Sequence, residues 1–127
     1  MIKLVFALHR RPELSLEEFQ RYWRETHAPL VEKHAPVLGF VRYVQLHSRH
    51  TQLGEGIRAS RGAPEPFDGI AEIWFESEAA FAEAMQRPGA AEAGRELLED
   101  ERRFIDLERS PIWLGEEFEV VPGTRDD

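Results

Sequence analysis

The segment running from Leu14 to Val31 constrains this chain more than any other, because it must be a helix with one inward face and a proline that regular helix geometry rejects. Ser15 followed three residues later by Glu18 fits a capping box, in which each side chain satisfies an orphan backbone N–H of the other residue. Leu14 before the cap and Phe19 at the fourth helical position fit the accompanying hydrophobic staple. Steps of three and four place Leu16, Phe19, Trp23, His27, Leu30 and Val31 on one face, and Glu17, Glu18, Arg21, Arg24 and Glu25 largely elsewhere. His27 should therefore point into the core. Pro29 has no N–H for the carbonyl of Glu25, and its ring crowds that carbonyl at a cost of about 3 kcal/mol. Ala28, which precedes it, is biased away from helical angles. We expect a break or kink near residues 26–28 and a short second turn over 30–34. A helix end at His27 favours imidazolium, whereas burial favours the neutral ring.

Two readings of His27 are open. It is either a core histidine hydrogen-bonded to a carbonyl, such as one freed by Pro29, or a proton-transfer group.

The 127 residues suit one domain, which we place at 1–121, followed by a flexible tail at 122–127. No stretch of about 20 apolar residues is present to span a membrane. The N-terminal apolar run meets His9, Arg10 and Arg11 too early for a signal peptide, so a cytoplasmic location is the expectation. There is no cysteine, which excludes disulfides, thiol nucleophiles and cysteine metal sites. A net charge of −8, with acids spread along the chain, argues against a nucleic-acid partner. Lys3 and Lys33 are the only lysines against many arginines, which suggests a GC-rich, bacterial coding genome.

Strands are expected at 2–8, 39–47, 69–75 and 113–121, and helices at 15–34, 78–86 and 88–103, with a long Gly- and Pro-containing loop over 49–65. Two strand–helix–strand halves suggest an α+β plan, a ferredoxin-like four-stranded antiparallel sheet with helices on one face. Strands 2–8 and 70–75 are apolar on both sides. The face without helices then needs a cover, and a second copy related by a two-fold axis would supply it.

Several blocks carry a family resemblance. They are Arg11-Pro12 through Trp23, His27-Ala28-Pro29-Leu30-Val31, Tyr43-Val44-Gln45, the run from Phe67 to Phe75, and the run from Leu98 to Asp106 followed by Ser110-Pro111. Together they resemble the EthD family of the dimeric α+β barrel superfamily; residues 48–66 fall outside the match. The resemblance implies a homodimeric barrel with a small-molecule pocket between sheet and helices in each subunit. Similar proteins act in ether degradation, aromatic lactone isomerisation, and decarboxylation or ring chemistry of polyketide-like compounds. They usually need neither metal nor organic cofactor, and some are associated with oxidoreductase systems.

Glu72 lies mid-strand between Ile70 and Trp74 on its own face, where a carboxylate is costly unless paired or protonated. It reads either as a general acid or base or as an ion pair with Arg42. Tyr43, Gln45 and His47 share one side of a strand and would bind a substrate oxygen if that side faces the pocket; on the other side they would form an interfacial polar network. Trp23 and Trp74 would line an aromatic pocket or fill the core. The acidic and basic residues between Arg95 and Asp106 read as surface ion pairs. The leading expectation is a cofactor-independent enzyme transferring protons on a hydrophobic carbonyl or hydroxyaromatic compound by isomerisation, cyclisation, decarboxylation or dehydration. His27 and Glu72 would be catalytic, and Trp23, Tyr43, Gln45, His47 and Trp74 would bind substrate, with no metal. The alternatives are a non-catalytic small-molecule-binding or accessory protein of an oxidoreductase system, and a haem-handling barrel with His27 toward the iron.

Overall fold

In the computed structural model, which describes residues 1–124, side-chain alternation along the strands divides the chain into a helix-covered sheet face and a bare one. The strands are β1 (Ile2–Leu8), β2 (Arg42–His47), β3 (Gly69–Phe75) and β4 (Ile112–Gly115), all antiparallel in the order β2-β3-β1-β4. This is the ferredoxin-like arrangement expected of two strand–helix–strand halves. Leu4, Phe6 and Leu8 share the helix side with Ala71, Ile73 and Phe75, while Val5 sits opposite Glu72, and Lys3 opposite Trp74, on the bare side.

The helices are α1 (Leu16–Tyr22), α2 (Ala28–Leu38), α3 (Gln52–Ser60), α4 (Glu78–Ala84) and α5 (Ala90–Phe104). Among the described residues none is long and apolar enough to cross a membrane. The capping box at α1 forms as expected: the Glu18 N–H donates to Ser15 Oγ at 3.0 Å, and the Ser15 N–H donates to Glu18 Oε1 at 2.8 Å. Gly39 ends α2 at φ 76°, a left-handed position that a Cβ would strain.

Of the break or kink expected near residues 26–28, the break does not occur, but the helix does leave regular α geometry there. Trp23–His27 instead forms a π-helical turn between α1 and α2, with the Ala28 N–H donating to the Trp23 carbonyl, and Ala28 stays helical at φ −57°, ψ −44°. A widened turn spreads the carbonyls that a proline ring would crowd, so the helix passes Pro29 without stopping. His27 is thus not at a helix end, and the end-of-helix argument for imidazolium falls away.

Two other expectations change. Residues 52–60 are helical, started by Thr51, whose hydroxyl accepts from the Gly54 N–H at 3.0 Å. Gly54 and Gly56, each costing roughly 1 kcal/mol relative to alanine in a helix, hid it. This helix buries no residue. The last strand stops at Gly115 instead of reaching 121, because β4 pairs only with β1, and Gly115 already faces Lys3 near the start of that strand. Residues 122–124 are exposed and carry no regular structure; 125–127 of the expected tail lie outside the described residues.

Two packed clusters flank α5. Leu8, Phe19, Trp23, Ala71, Phe104 and Ile105 gather at its C-terminal end, and Val31, Leu38, Ala90, Ala93 and Leu97 along its N-terminal part. Gly69 lets the Trp23 ring come close to β3: an added Cβ would fall inside the contact distance of that ring and within 2.8 Å of the Leu46 carbonyl. Gly69→Ala should therefore destabilise the fold by about 1–3 kcal/mol through overpacking, read as a lower urea midpoint at unchanged slope.

Candidate functional site

Between the helix-covered sheet face and the helices lies a cavity of about 400 Å³, within the range of small-molecule sites. Leu4, Phe6 and Leu8 of β1 and Ala71, Ile73 and Phe75 of β3 form its floor; Ala90, Ala91, Gly94, Leu97 and Leu98 of α5 form one wall. The small residues on α5 keep that wall back from the sheet. The polar side chains on the lining are few: His27, Tyr43, Glu101 and the indole of Trp23.

The π-turn places His27 at the cavity with only 4% of its surface exposed. Its Nδ1 lies 2.7 Å from Oδ2 of Asp100, itself 3% exposed on α5. The other Asp100 oxygen accepts from the Tyr22 hydroxyl at 2.6 Å and from Arg103 Nη1 at 3.0 Å. Burial pushes the Asp100 carboxyl up, but the hydrogen bonds from Tyr22, His27 and Arg103 outweigh it and hold it below the usual carboxylate range. For His27 burial wins over the pull of Asp100, and its pKa falls below the usual imidazole value. Neutral imidazole beside ionised carboxylate puts the proton on Nδ1. The Nε2 lone pair, with no protein partner among the described residues, is then free on the cavity side. A base oriented through its second nitrogen by a buried carboxylate is the usual arrangement of a proton-transfer site.

The β2 row faces the helices, which resolves its parity. Tyr43 lines the cavity, and burial raises its hydroxyl pKa above the ordinary phenol value. Gln45 stands behind it: its Nε2 donates to the Tyr43 oxygen at 3.0 Å and to the Trp23 carbonyl at 3.0 Å. That carbonyl is the one the π-turn serves, so β2 buttresses the turn that carries His27. His47 bonds Gln45 Oε1 through Nε2 at 2.8 Å and packs tilted against Trp23 at 4.4 Å between ring centres. Trp23 and Tyr43 thus reach the cavity, while Gln45 and His47 hold them in place without lining it.

Glu72 and Trp74 do not join this group. Strand parity turns both to the bare sheet face, where Lys3 Nζ pairs with Glu72 at 2.6 Å and with Glu117 at 2.9 Å. Arg42, the expected partner of Glu72, instead lies over the Trp74 ring at 4.7 Å, and the Trp74 indole N–H donates to Glu117 at 2.7 Å. The carboxylate beside His27 is Asp100.

Two site residues escaped sequence reading. Asp100 and Glu101 sit in a charge-rich run that reads as solvated surface, and only the α5 stripe of Ala90, Gly94, Leu97 and Glu101 marks an inward turn. Burial, with the neighbouring Asp100 charge adding to it, pushes the Glu101 carboxyl up to about 7.

Residues 11–108 match the EthD domain family model. The chain belongs to the EthD family. No curated protein matches it. Among solved structures, it is similar to an EthD family protein from Bacillus halodurans, with TM-score 0.61 and 20% identity over 93% of this chain and 99% of that one. HapK from Hahella chejuensis aligns at TM-score 0.61 and 12% identity, covering 98% and 100%. SnoaB from Streptomyces nogalater, described as a cofactor-independent oxygenase, aligns at TM-score 0.53 and 19% identity, covering 96% and 97%. At these identities the likeness establishes the shared fold.

In this EthD chain the buried dyad and Glu101 oppose each other in acid and base. Asp100 is depressed, so its stabilisation is present above the unfolded carboxylate pKa and is lost as pH falls through its folded value. Glu101 is raised, so its contribution is present below about pH 4.5 and is lost as pH rises through about 7. Glu101→Gln should flatten the loss of stability between those two pH values, checked by urea titrations across the range. Asp100→Asn should lower the His27 pKa further, because it removes the charge that opposes burial; an NMR titration of the imidazole reads the shift.

Proposed function

We propose that this EthD-family protein is a cofactor-independent small-molecule enzyme that transfers protons on a hydrophobic carbonyl or hydroxyaromatic compound. The supporting observation is the unpartnered Nε2 of a neutral, carboxylate-oriented His27 on an apolar cavity of about 400 Å³. Nε2 accepts a proton from an acidic C–H or O–H of the bound compound, and Asp100 stabilises the imidazolium so formed. Tyr43 hydrogen-bonds the oxygen on which charge develops. That SnoaB is a cofactor-independent oxygenase supports chemistry without a bound cofactor on this fold. The cavity-facing Trp23 and Tyr43 suit an aromatic or planar conjugated compound.

We further propose that the working unit is a homodimer packed through the bare sheet faces. Val5, Val44 and Ile70 lie there among the Lys3–Glu72 pair, and Leu46 and Trp113 remain about half exposed. Just beyond β4, Phe118, Val120 and Val121 are also exposed. A neighbouring fold from Bacteroides fragilis is described as dimeric, which supports the same assembly here. Light scattering at micromolar concentration should give twice the 14.7 kDa chain mass; one chain mass would reject it.

Deuterium wash-in tests the chemistry without a known substrate. A panel of enolisable aryl ketones and hydroxyaromatics is incubated with the protein in D₂O and followed by NMR. Wild type should label at least one compound at carbon, and His27→Ala should slow that labelling by about 10²–10⁴-fold. Binding seen as ligand-induced stabilisation, with no labelling of any compound, would instead favour a non-catalytic carrier. Gly94→Phe separates cavity from surface. A Cβ at Gly94 meets nothing within 4 Å, so the ring enters open space on the lining. The variant should fold and lose binding and labelling together.

A further inference from the structure

Among the described residues on the cavity lining, Glu101 is the one carboxylate, and no lysine or arginine accompanies it. It occupies the end of the α5 stripe that runs Ala90, Gly94, Leu97, Glu101, one residue past the aspartate that holds His27. Among the described residues no hydrogen bond or ion pair ties its carboxyl, in contrast to Asp100, which accepts three. Glu101 is partly exposed, so its carboxyl keeps some water, but without a protein partner beside largely apolar walls its charge is still disfavoured. Packing does not require it, since its neighbours on the stripe are alanine, glycine and leucine.

We propose that Glu101 is the specificity-determining group of this cavity, selecting an uncharged compound with a hydrogen-bonding oxygen and turning away carboxylates of the same shape. The inference deepens the proton-transfer reading and rests on its claim that the cavity binds a small molecule. In its protonated form Glu101 donates to a carbonyl or phenol oxygen. In its ionised form it accepts from a hydroxyl and repels a carboxylate, with no cation on the lining to offset the repulsion. Asp100 and Arg102 flank it on α5 with opposite charges, Asp100 raising the Glu101 pKa and Arg102 lowering it, while Asp100 also bonds Tyr22, His27 and Arg103. His27 from the π-turn and Tyr43 from β2 share the lining, and both are neutral at and somewhat above neutral pH.

The test compares 2-naphthol with 2-naphthoate, two planar molecules of similar size that differ in charge, by calorimetry on the full chain. At about pH 8 wild type should bind 2-naphthol at least about tenfold more tightly, since an uncompensated like charge weakens the acid. At about pH 5.5 the gap should narrow, because Glu101 is then protonated while naphthoate remains an anion. Glu101→Gln should narrow the pH 8 gap to about the one wild type shows at pH 5.5 and hold it there at either pH, the remainder being the cost of bringing a carboxylate against apolar walls and any remaining pH dependence reporting His27. Equal binding of the two compounds by wild type at pH 8 would overturn the proposal, as would a pH 8 gap in Glu101→Gln as wide as that of wild type. If 2-naphthol fails to bind, or binds unchanged in Gly94→Phe, the cavity reading itself falls and the proposal with it. Glu101→Asp, which keeps the charge on a shorter arm, should retain the discrimination.

Discussion

The hydrogen bond between His27 and Asp100 joins the first helical segment to α5 beside the cavity, and much of the structure is arranged around it. Both partners are almost fully buried. Removing one partner of such a pair leaves an uncompensated polar group, a loss on the order of 3–5 kcal/mol when a charge is stranded. The protein does not leave the pair alone. Tyr22 and Arg103 share the second Asp100 oxygen, and the aromatic ring of Phe104 lies 5.0 Å from the imidazole. These contacts fix the ring by one nitrogen and leave the other to the cavity.

The π-turn is the backbone device that makes this possible. It absorbs Pro29, keeps the helix continuous from Leu16 to Leu38, and presents a carbonyl at Trp23 that Gln45 of β2 reaches. A strand side chain therefore braces the helix at the point where it departs from regular geometry. His47 packs tilted against the same indole, and Gly69 gives that indole room on β3. Along one short strand row, a polar pattern that suggests binding divides into one cavity-lining residue, Tyr43, and two braces, Gln45 and His47.

Much of the fold was legible because it rests on local rules. The boundaries of β1 and β3 follow from apolar runs ended by turn residues, and the start of α1 from reciprocal capping by Ser15 and Glu18. The inward direction of His27 follows from helical spacing with Trp23 and Val31. The misplaced features depend on partners distant in sequence. The end of β4 is set by where β1 begins, and α3 forms over two glycines once Thr51 caps it. Glu72 looked like a site residue because a mid-strand carboxylate is unusual. Its partner is Lys3, 69 positions away on the neighbouring strand.

The sequence by itself determined the antiparallel α+β plan and an imidazole turned inward beside a proline, because periodicity, capping and proline geometry act over a few residues. Only the tertiary structure decided which carboxylate meets that imidazole, which sheet face encloses the cavity, and that Glu101 belongs to its wall. Asp100 and Glu101 lie more than 70 positions beyond His27 in a run of charges that looks solvated. Only the packing of α5 against α2 and the π-turn turns them inward, and burial is what shifts a carboxylate's proton affinity.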